Sequence, residues 1–154
     1  MSTRWVITAA ALAFVVKISL AWNTYGSNDV IFWECDLAKI QHEGGLALYR
    51  DGAQIYWNGA WFRTEPFNQP PFMIHLLRAW AAVAEASGLP MRFWLRLTSV
   101  LADIGSLALV WGILIASKLH VRPLALGLVA LSPVSIAVSG FHGNTDPVMV
   151  SVFP

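Results

Sequence analysis

Cysteine is almost missing: Cys35 is the only one among 154 residues. That excludes an internal disulfide and a cysteine-rich metal site, and Cys35 reads as a buried or interfacial thiol. Charge is scarce as well. Asp, Glu, Lys and Arg make up 12% of the chain, about half the ~25% of soluble domains. There is no run of Lys or Arg and the net charge is only +1, which excludes the basic footprint of a nucleic-acid-binding protein. No internal repeat or low-complexity tract is present. What fills the space is apolar: 56% of residues are hydrophobic and the mean hydropathy is +0.57. A membrane protein is the class this composition describes, with the lipid bilayer as its first partner. Eight tryptophans fit that class, because indole prefers the membrane–water boundary.

A bilayer-crossing helix needs about 20 apolar residues. Three stretches qualify. Residues 5–22 read "WVITAAALAFVVKISLAW", with Trp at both edges and Lys17 as the one charge, near enough to an end to snorkel. Residues 97–117 and 123–141 supply the second and third. Arg4 and the α-amino group precede the first span, and "KLHVR", with Lys118 and Arg122, joins the other two. Basic flanks and short basic loops stay in the cytoplasm. The expected topology therefore has a cytoplasmic N-terminus, in a plasma (inner) membrane, with residues 23–96 and the closing polar loop outside. The competing reading of the first span is a cleaved signal peptide ending near "SLAW".

The expected fold class is thus all-α: a multi-pass helical membrane domain with amphipathic juxtamembrane helices in a long first outer loop. In "GSND", Ser27 and Asn28 are N-cap candidates. Val30, Trp33, Leu37 and Ile40 follow at helical spacing, and Gly44-Gly45 is a natural stop. This predicts an interfacial helix over about 29–43. A second is predicted over about 70–88, where His75, Arg78 and Glu85 share one face against a Phe/Leu/Trp face. A crossing helix remains the alternative there, if that polar stripe faces a bundle interior. The intervening "LYRDGAQIYWNGAWFRTEPFNQPPF" has no clear period and reads as an ordered loop resting on the membrane.

Two acids lie just past outward-going spans: Asp29 in "TYGSNDVIFW" and Asp146 in "SGFHGNTDPVMV". A carboxylate at a dry boundary can serve as a general base or hold a metal. The plainer readings are a helix cap or first-turn acid for Asp29 and a turn residue before Pro147 for Asp146. As a cation site "NTD" is poor, because one carboxylate and one amide give a divalent cation too few charged ligands.

The order of parts is one span, an acid soon after it, an amphipathic outer loop, a Pro-rich juxtamembrane helix, two spans and a polar acidic loop. This resembles the N-terminal module of the GT-C superfamily of integral membrane glycosyltransferases. "TYGSND" is similar to the catalytic-acid segment in the first outer loop of oligosaccharyltransferase catalytic subunits. "SGFHGNTDPVMV" is similar to their second-loop acidic motif and to the His/Asn/Asp loop of lipid-linked mannosyl- and glucosyltransferases. "GGLALYRD" and "EPFNQPPF" resemble elements of bacterial polyprenyl-phosphate sugar transferases. The resemblance implies a polyprenyl-phosphate sugar donor and inverting transfer outside the cytoplasm, with Asp29 as catalytic base. It implies substrate-binding roles for His142, Asn144 and Asp146, and for Arg63, Arg78 or Arg96 at the donor phosphate. Asn144 stands where metal-using relatives carry a carboxylate, so a divalent cation is an open option rather than an expectation. Members of the superfamily have many more spans. The chain therefore reads as an N-terminal fragment, inactive alone, to be completed by further spans or a partner subunit.

Three features fall outside that pattern. Asp103 sits inside a span, and Arg96, seven residues earlier on roughly the same face, is its expected internal contact. Ser132, Ser135 and Ser139 stripe one face of the third span around Pro133, which suits close helix packing. The competing class is a non-enzymatic membrane protein, a transporter piece or an assembly subunit. Transporters keep ionisable residues near the midplane, and only Asp103 is that deep.

Overall fold

A computed structural model of the chain describes residues 3–117 and 123–142. The elements run α1 (Thr3–Asn23), α2 (Asn28–Glu43), α3 (Gly45–Asp51), β1 (Gln54–Trp57), β2 (Ala60–Arg63), α4 (Phe72–Ser87), α5 (Met91–Ala116), α6 (Pro123–Ala130) and α7 (Pro133–Ser135). From α7 the chain continues as a π-helical segment, Ile136–His142. Two compact units divide these elements: Met1–Ser27 with Leu95–Pro154, and Asn28–Trp94.

Three helical stretches are long and apolar enough to cross a membrane: Arg4–Asn23, Met91–Ala116 and Pro123–His142. All three belong mainly to the first unit. Twenty residues of α-helix rise about 30 Å, close to the thickness of a hydrocarbon core. Helix α4 is not among them; its 16 residues rise only about 24 Å. Much of the first unit's apolar surface is exposed, including Ile7, Val15, Leu109, Ile115 and Val134. Such surface belongs in lipid, and it marks a membrane protein.

Within this unit α1 packs against α6 and the π segment. Its contact stripe is Val6, Ala9, Ala13, Lys17 and Ala21, all buried. The apolar members are mostly small, which lets backbones approach without bulky knobs. The partner answers with glycine. A Cβ on Gly127 would strike the Trp5 indole, and one on Gly140 would lie 2.9 Å from the Lys17 Cα. Pro133 removes a backbone donor and interrupts the third stretch between α6 and α7.

The second unit is built on α2. Its buried Val30, Leu37 and Ile40 face α3, β1 and α4, where Ala47, Leu48, Ile55, Met73, Leu77 and Trp80 are buried in turn. Gly44 (φ 88°) separates α2 from α3. Gly52 (φ 67°) ends α3 where a Cβ would fall 2.5 Å from the Thr64 carbonyl oxygen. No other residue type fits there without movement.

The stretch expected to be an irregular loop contains a two-stranded antiparallel hairpin, with Gln54 opposite Arg63 and Tyr56 opposite Trp61. Asn58 (φ 50°) and Gly59 (φ 83°) turn it, the pair that a type I′ turn demands. The fold is therefore mostly helical, as expected, with one hairpin added. Phe67 then stacks edge-on between Trp33 and Tyr49, with ring centroids 6.2 and 5.3 Å away. The Tyr49 hydroxyl donates to the Gln69 carbonyl at 2.6 Å, so the Pro-rich segment before α4 is pinned in place. Pro70 and Pro71 supply the first turn, accepting from the Met73 and Ile74 amides at 2.9 and 3.1 Å.

Candidate functional site

In the first unit the charges deep within the helices, Lys17, Arg96 and Asp103, are matched. The Lys17 ammonium pairs with the Asp103 carboxylate and donates to Ser135 Oγ at 2.7 Å. The Ser135 hydroxyl donates to the same carboxylate at 2.9 Å. Three helices are thus joined at one polar point. This corrects the expectation that Lys17 snorkels to the interface: its side chain has 0% exposure. Lys17 lies on the packed stripe of α1, so its stem turns inward toward the Asp103 carboxylate. The serine stripe does more than permit packing, since Ser135 belongs to this network and Ser139 donates to the Ser135 carbonyl at 2.7 Å.

Arg96 also departs from expectation. It does not serve Asp103. Its guanidinium donates to the carbonyls of Ala21 (2.6 Å) and Thr24 (2.7 Å), to Thr24 Oγ1 (2.9 Å) and, more weakly, to Leu20 O (3.4 Å). It caps the carboxyl end of α1, where helix carbonyls lack partners and cations are favoured. With 0% exposure, Arg96 is a core residue, committed to the chain's own backbone rather than to a ligand.

Two contacts set direction. Arg96 near the start of α5 meets the end of α1, so these helices are antiparallel. Ser27, just past α1, meets His142 at the end of the third stretch, so those two run parallel. The Ser27 hydroxyl donates to the His142 carbonyl at 2.8 Å, and the imidazole Nδ1 lies 2.6 Å from the Ser27 Oγ. A hydroxyl has one proton. When it goes to the carbonyl, the imidazole Nδ1–H donates back to Oγ. Residues 27 and 95, where the chain leaves and re-enters this unit, therefore lie at the same end of it. Asn144 and Asp146 lie outside the described residues, as do Lys118 and Arg122.

In the second unit Asp29 stands in the first turn of α2, partly exposed. A carboxylate there faces unbonded amides and the positive end of the helix dipole. Beside that turn lies an open cavity of about 310 Å³, lined by Asn28, Ile31 and Phe32 of α2 and by Ile55, Phe62 and Arg63 of the hairpin. Asp29 is not among its lining residues. Arg63 Nη2 holds Asp51 Oδ1 at 3.1 Å. The Arg50 hydrogen bond, with Arg63 beside it, keeps the Asp51 carboxyl below the usual carboxylate range. Arg78 and His75 are exposed on α4 and line a second open groove, described below.

One acid was missed by sequence reasoning. Asp36 has 8% exposure, and desolvation pushes its pKa up to about 7. The signal was present: Asp36 follows Trp33 by three and precedes Ile40 by four, an acid set on an apolar stripe. Its neighbour Cys35 is partly buried. Burial first, then the nearby Asp36 and Glu34, raise that thiol's pKa, which disfavours the nucleophilic thiolate. Among the described residues no group of three or more His, Cys, Asp or Glu side chains could hold a metal ion.

Comparison with protein-family models, curated protein sequences and solved structures found no match to this chain.

Proposed function

We propose that this protein takes part in membrane glycosyl transfer, moving a sugar from a polyprenyl-phosphate donor to an acceptor hydroxyl, with Asp29 as general base. The observation that carries the reading is the pair of Ser27–His142 hydrogen bonds. They join the segment leading into Asp29 to the residue that opens the His-Gly-Asn-Thr-Asp loop. In the resemblance to GT-C glycosyltransferases these two segments share one catalytic face. Asp29 accepts the acceptor hydroxyl's proton as that oxygen attacks the anomeric carbon. The bond from that carbon to the phosphate oxygen breaks, and the lipid phosphate leaves with the electron pair. A cation beside the phosphate stabilises the growing charge. His142, Asn144 and Asp146 orient the acceptor. In this reading the end of the bundle bearing Ser27 and His142 is extracytoplasmic and the N-terminus is cytoplasmic, in a plasma (inner) membrane.

The competing transporter reading needs a deep ionisable group that exchanges partners along a pathway. Lys17, enclosed and spent on Asp103 and Ser135, favours a fixed scaffold instead. The test is Asp29→Asn in the complete enzyme in its membranes, with sugar transfer from a radiolabelled polyprenyl-phosphate donor as the readout. Loss of a base lowers the rate by about 10²–10⁴-fold. Asn caps a helix about as well as Asp, so near-normal transfer by the variant at normal abundance would return Asp29 to a capping role.

A further inference from the structure

Three arginines are candidates for an anionic headgroup, and the structure separates them. Arg96 is enclosed and bonded to the carbonyl end of α1. Arg63 is paired with Asp51. Among the described residues no ion pair holds Arg78. Its surroundings differ too. Arg78 and His75, one helical turn apart on α4, line an open groove of about 440 Å³ with Leu46, Tyr49 and Ile74. No carboxylate lines it. Leu46 is 87% exposed at this groove, which leaves an apolar side chain uncovered beside the Arg78 guanidinium. A permanent cation beside an uncovered apolar rim complements an anionic head on an apolar tail.

We propose that the groove between α3 and α4 binds a phosphate group carried on an apolar chain, with Arg78 as the anion-binding residue and Leu46 and Ile74 against the tail. Arg78 is suited to it because a guanidinium presents paired donors to phosphate oxygens. His75 adds a further nitrogen donor from the same helix face. The Tyr49 hydroxyl is already given to the Gln69 carbonyl, so the ring acts as an apolar wall. The chain itself fixes how closely the two walls of the groove approach. Gly45 brings α3 against α4 so closely that a Cβ would lie 2.7 Å from Ile74 Cδ1. The proposal deepens the glycosyl-transfer reading by naming the donor's headgroup subsite, and rests on that reading only for the sugar.

The experiment titrates dodecyl phosphate into the purified chain in dodecyl maltoside, a phosphate-free detergent, and follows binding by calorimetry. Dodecyl phosphate is expected to bind, and Arg78→Gln to weaken it about 10- to 100-fold, the effect of losing a charge-assisted contact. Arg78→Lys should lose less. Arg50→Gln, an exposed residue paired with Asp51, should change binding less than twofold. Unchanged binding in Arg78→Gln, or inorganic phosphate binding as tightly as dodecyl phosphate, would overturn the proposal. Phosphatidylglycerol in the same assay separates the sources. Equal, Arg78-dependent affinity supports the site and assigns its phosphate to bulk lipid, while a preference for dodecyl phosphate supports it and assigns a carrier lipid. Asp29→Asn should bind as the unmodified chain does. Transfer that survives Asp29→Asn would sink the base role and leave the groove standing, while binding that survives Arg78→Gln would sink the groove and leave the base role standing.

Discussion

The two units treat charge differently. In the spanning unit the deep cations close on internal partners: Lys17 on Asp103 and Ser135, Arg96 on the carbonyl end of α1. In the unit built on α2 some charge is left unmatched. Asp36 is desolvated enough to titrate near neutrality, and Arg78 lines a groove that holds no acid. The contrast follows from solvent. A charge facing lipid without a partner costs several kcal/mol, so helices apolar enough to cross a membrane keep a cation only where its partner is built in. The unit built on α2 has no helix of that kind among its described elements, and it leaves a charge open for a ligand.

The largest effect is expected from unpairing the deep network. Lys17→Met leaves Asp103 without its cation, and Asp103→Asn leaves Lys17 without its anion. Removing one partner of a buried pair costs about 3–5 kcal/mol. Unfolding in mixed detergent micelles should register that loss for either single variant. The double variant Lys17→Met, Asp103→Leu should recover most of it, because two well-packed apolar groups leave no orphaned charge. A double variant less stable than both singles would mean that the pair itself stabilises the bundle.

The next effect concerns Asp36. Its pKa rises from 3.8 to about 7 on folding, so the folded chain holds a proton that the unfolded chain releases. Stability must then fall as pH rises from about 4 to about 7, and level off above. The penalty at pH 8 is on the order of 3–4 kcal/mol. Asp36→Asn should abolish that slope and be more stable than the unmodified chain at pH 8. Parallel stability–pH curves for the two would show that Asp36 is not desolvated.

The smallest effect tests the hairpin. Gly59 has φ 83°, which a side chain with a Cβ adopts only with strain. Gly59→Ala should cost about 1 kcal/mol and leave Arg78-dependent binding intact. A neutral outcome would mean that the turn relaxes to another type.

Sequence periodicity recovers the long helices well. The first and third spanning stretches match within a residue or two, and the second begins six residues earlier than expected, at Met91. Long apolar runs depend little on tertiary context. The hairpin was hidden because its strands are four residues each, too short for a visible alternation. Asn58-Gly59 was its signal, a pair suited to left-handed backbone. Partners of deep charges were illegible for another reason. Arg96 and Asp103 lie on one helix, so spacing suggested a local contact. The actual partners, Lys17 for Asp103 and the α1 carbonyls for Arg96, come from helices far away in sequence. Asp36 was legible in principle, but its degree of burial depends on what α2 packs against. For the candidate site, sequence supplied Asp29, His142 and three arginines. Only the fold distinguishes Arg78, in its groove, from Arg63 and Arg96, which are spent.

The central claim is that Asp103 is structural and that Asp29 is the base of the proposed glycosyl transfer. Asp29→Asn and Asp103→Asn in the complete enzyme, compared side by side for protein abundance and for sugar transfer per molecule, test it most directly. The account predicts that Asp29→Asn keeps abundance and loses transfer by about 10²–10⁴-fold, while Asp103→Asn loses abundance and keeps transfer in the molecules that remain. Transfer per molecule that survives Asp29→Asn and collapses in Asp103→Asn would contradict it and move the chemistry into the membrane-spanning unit.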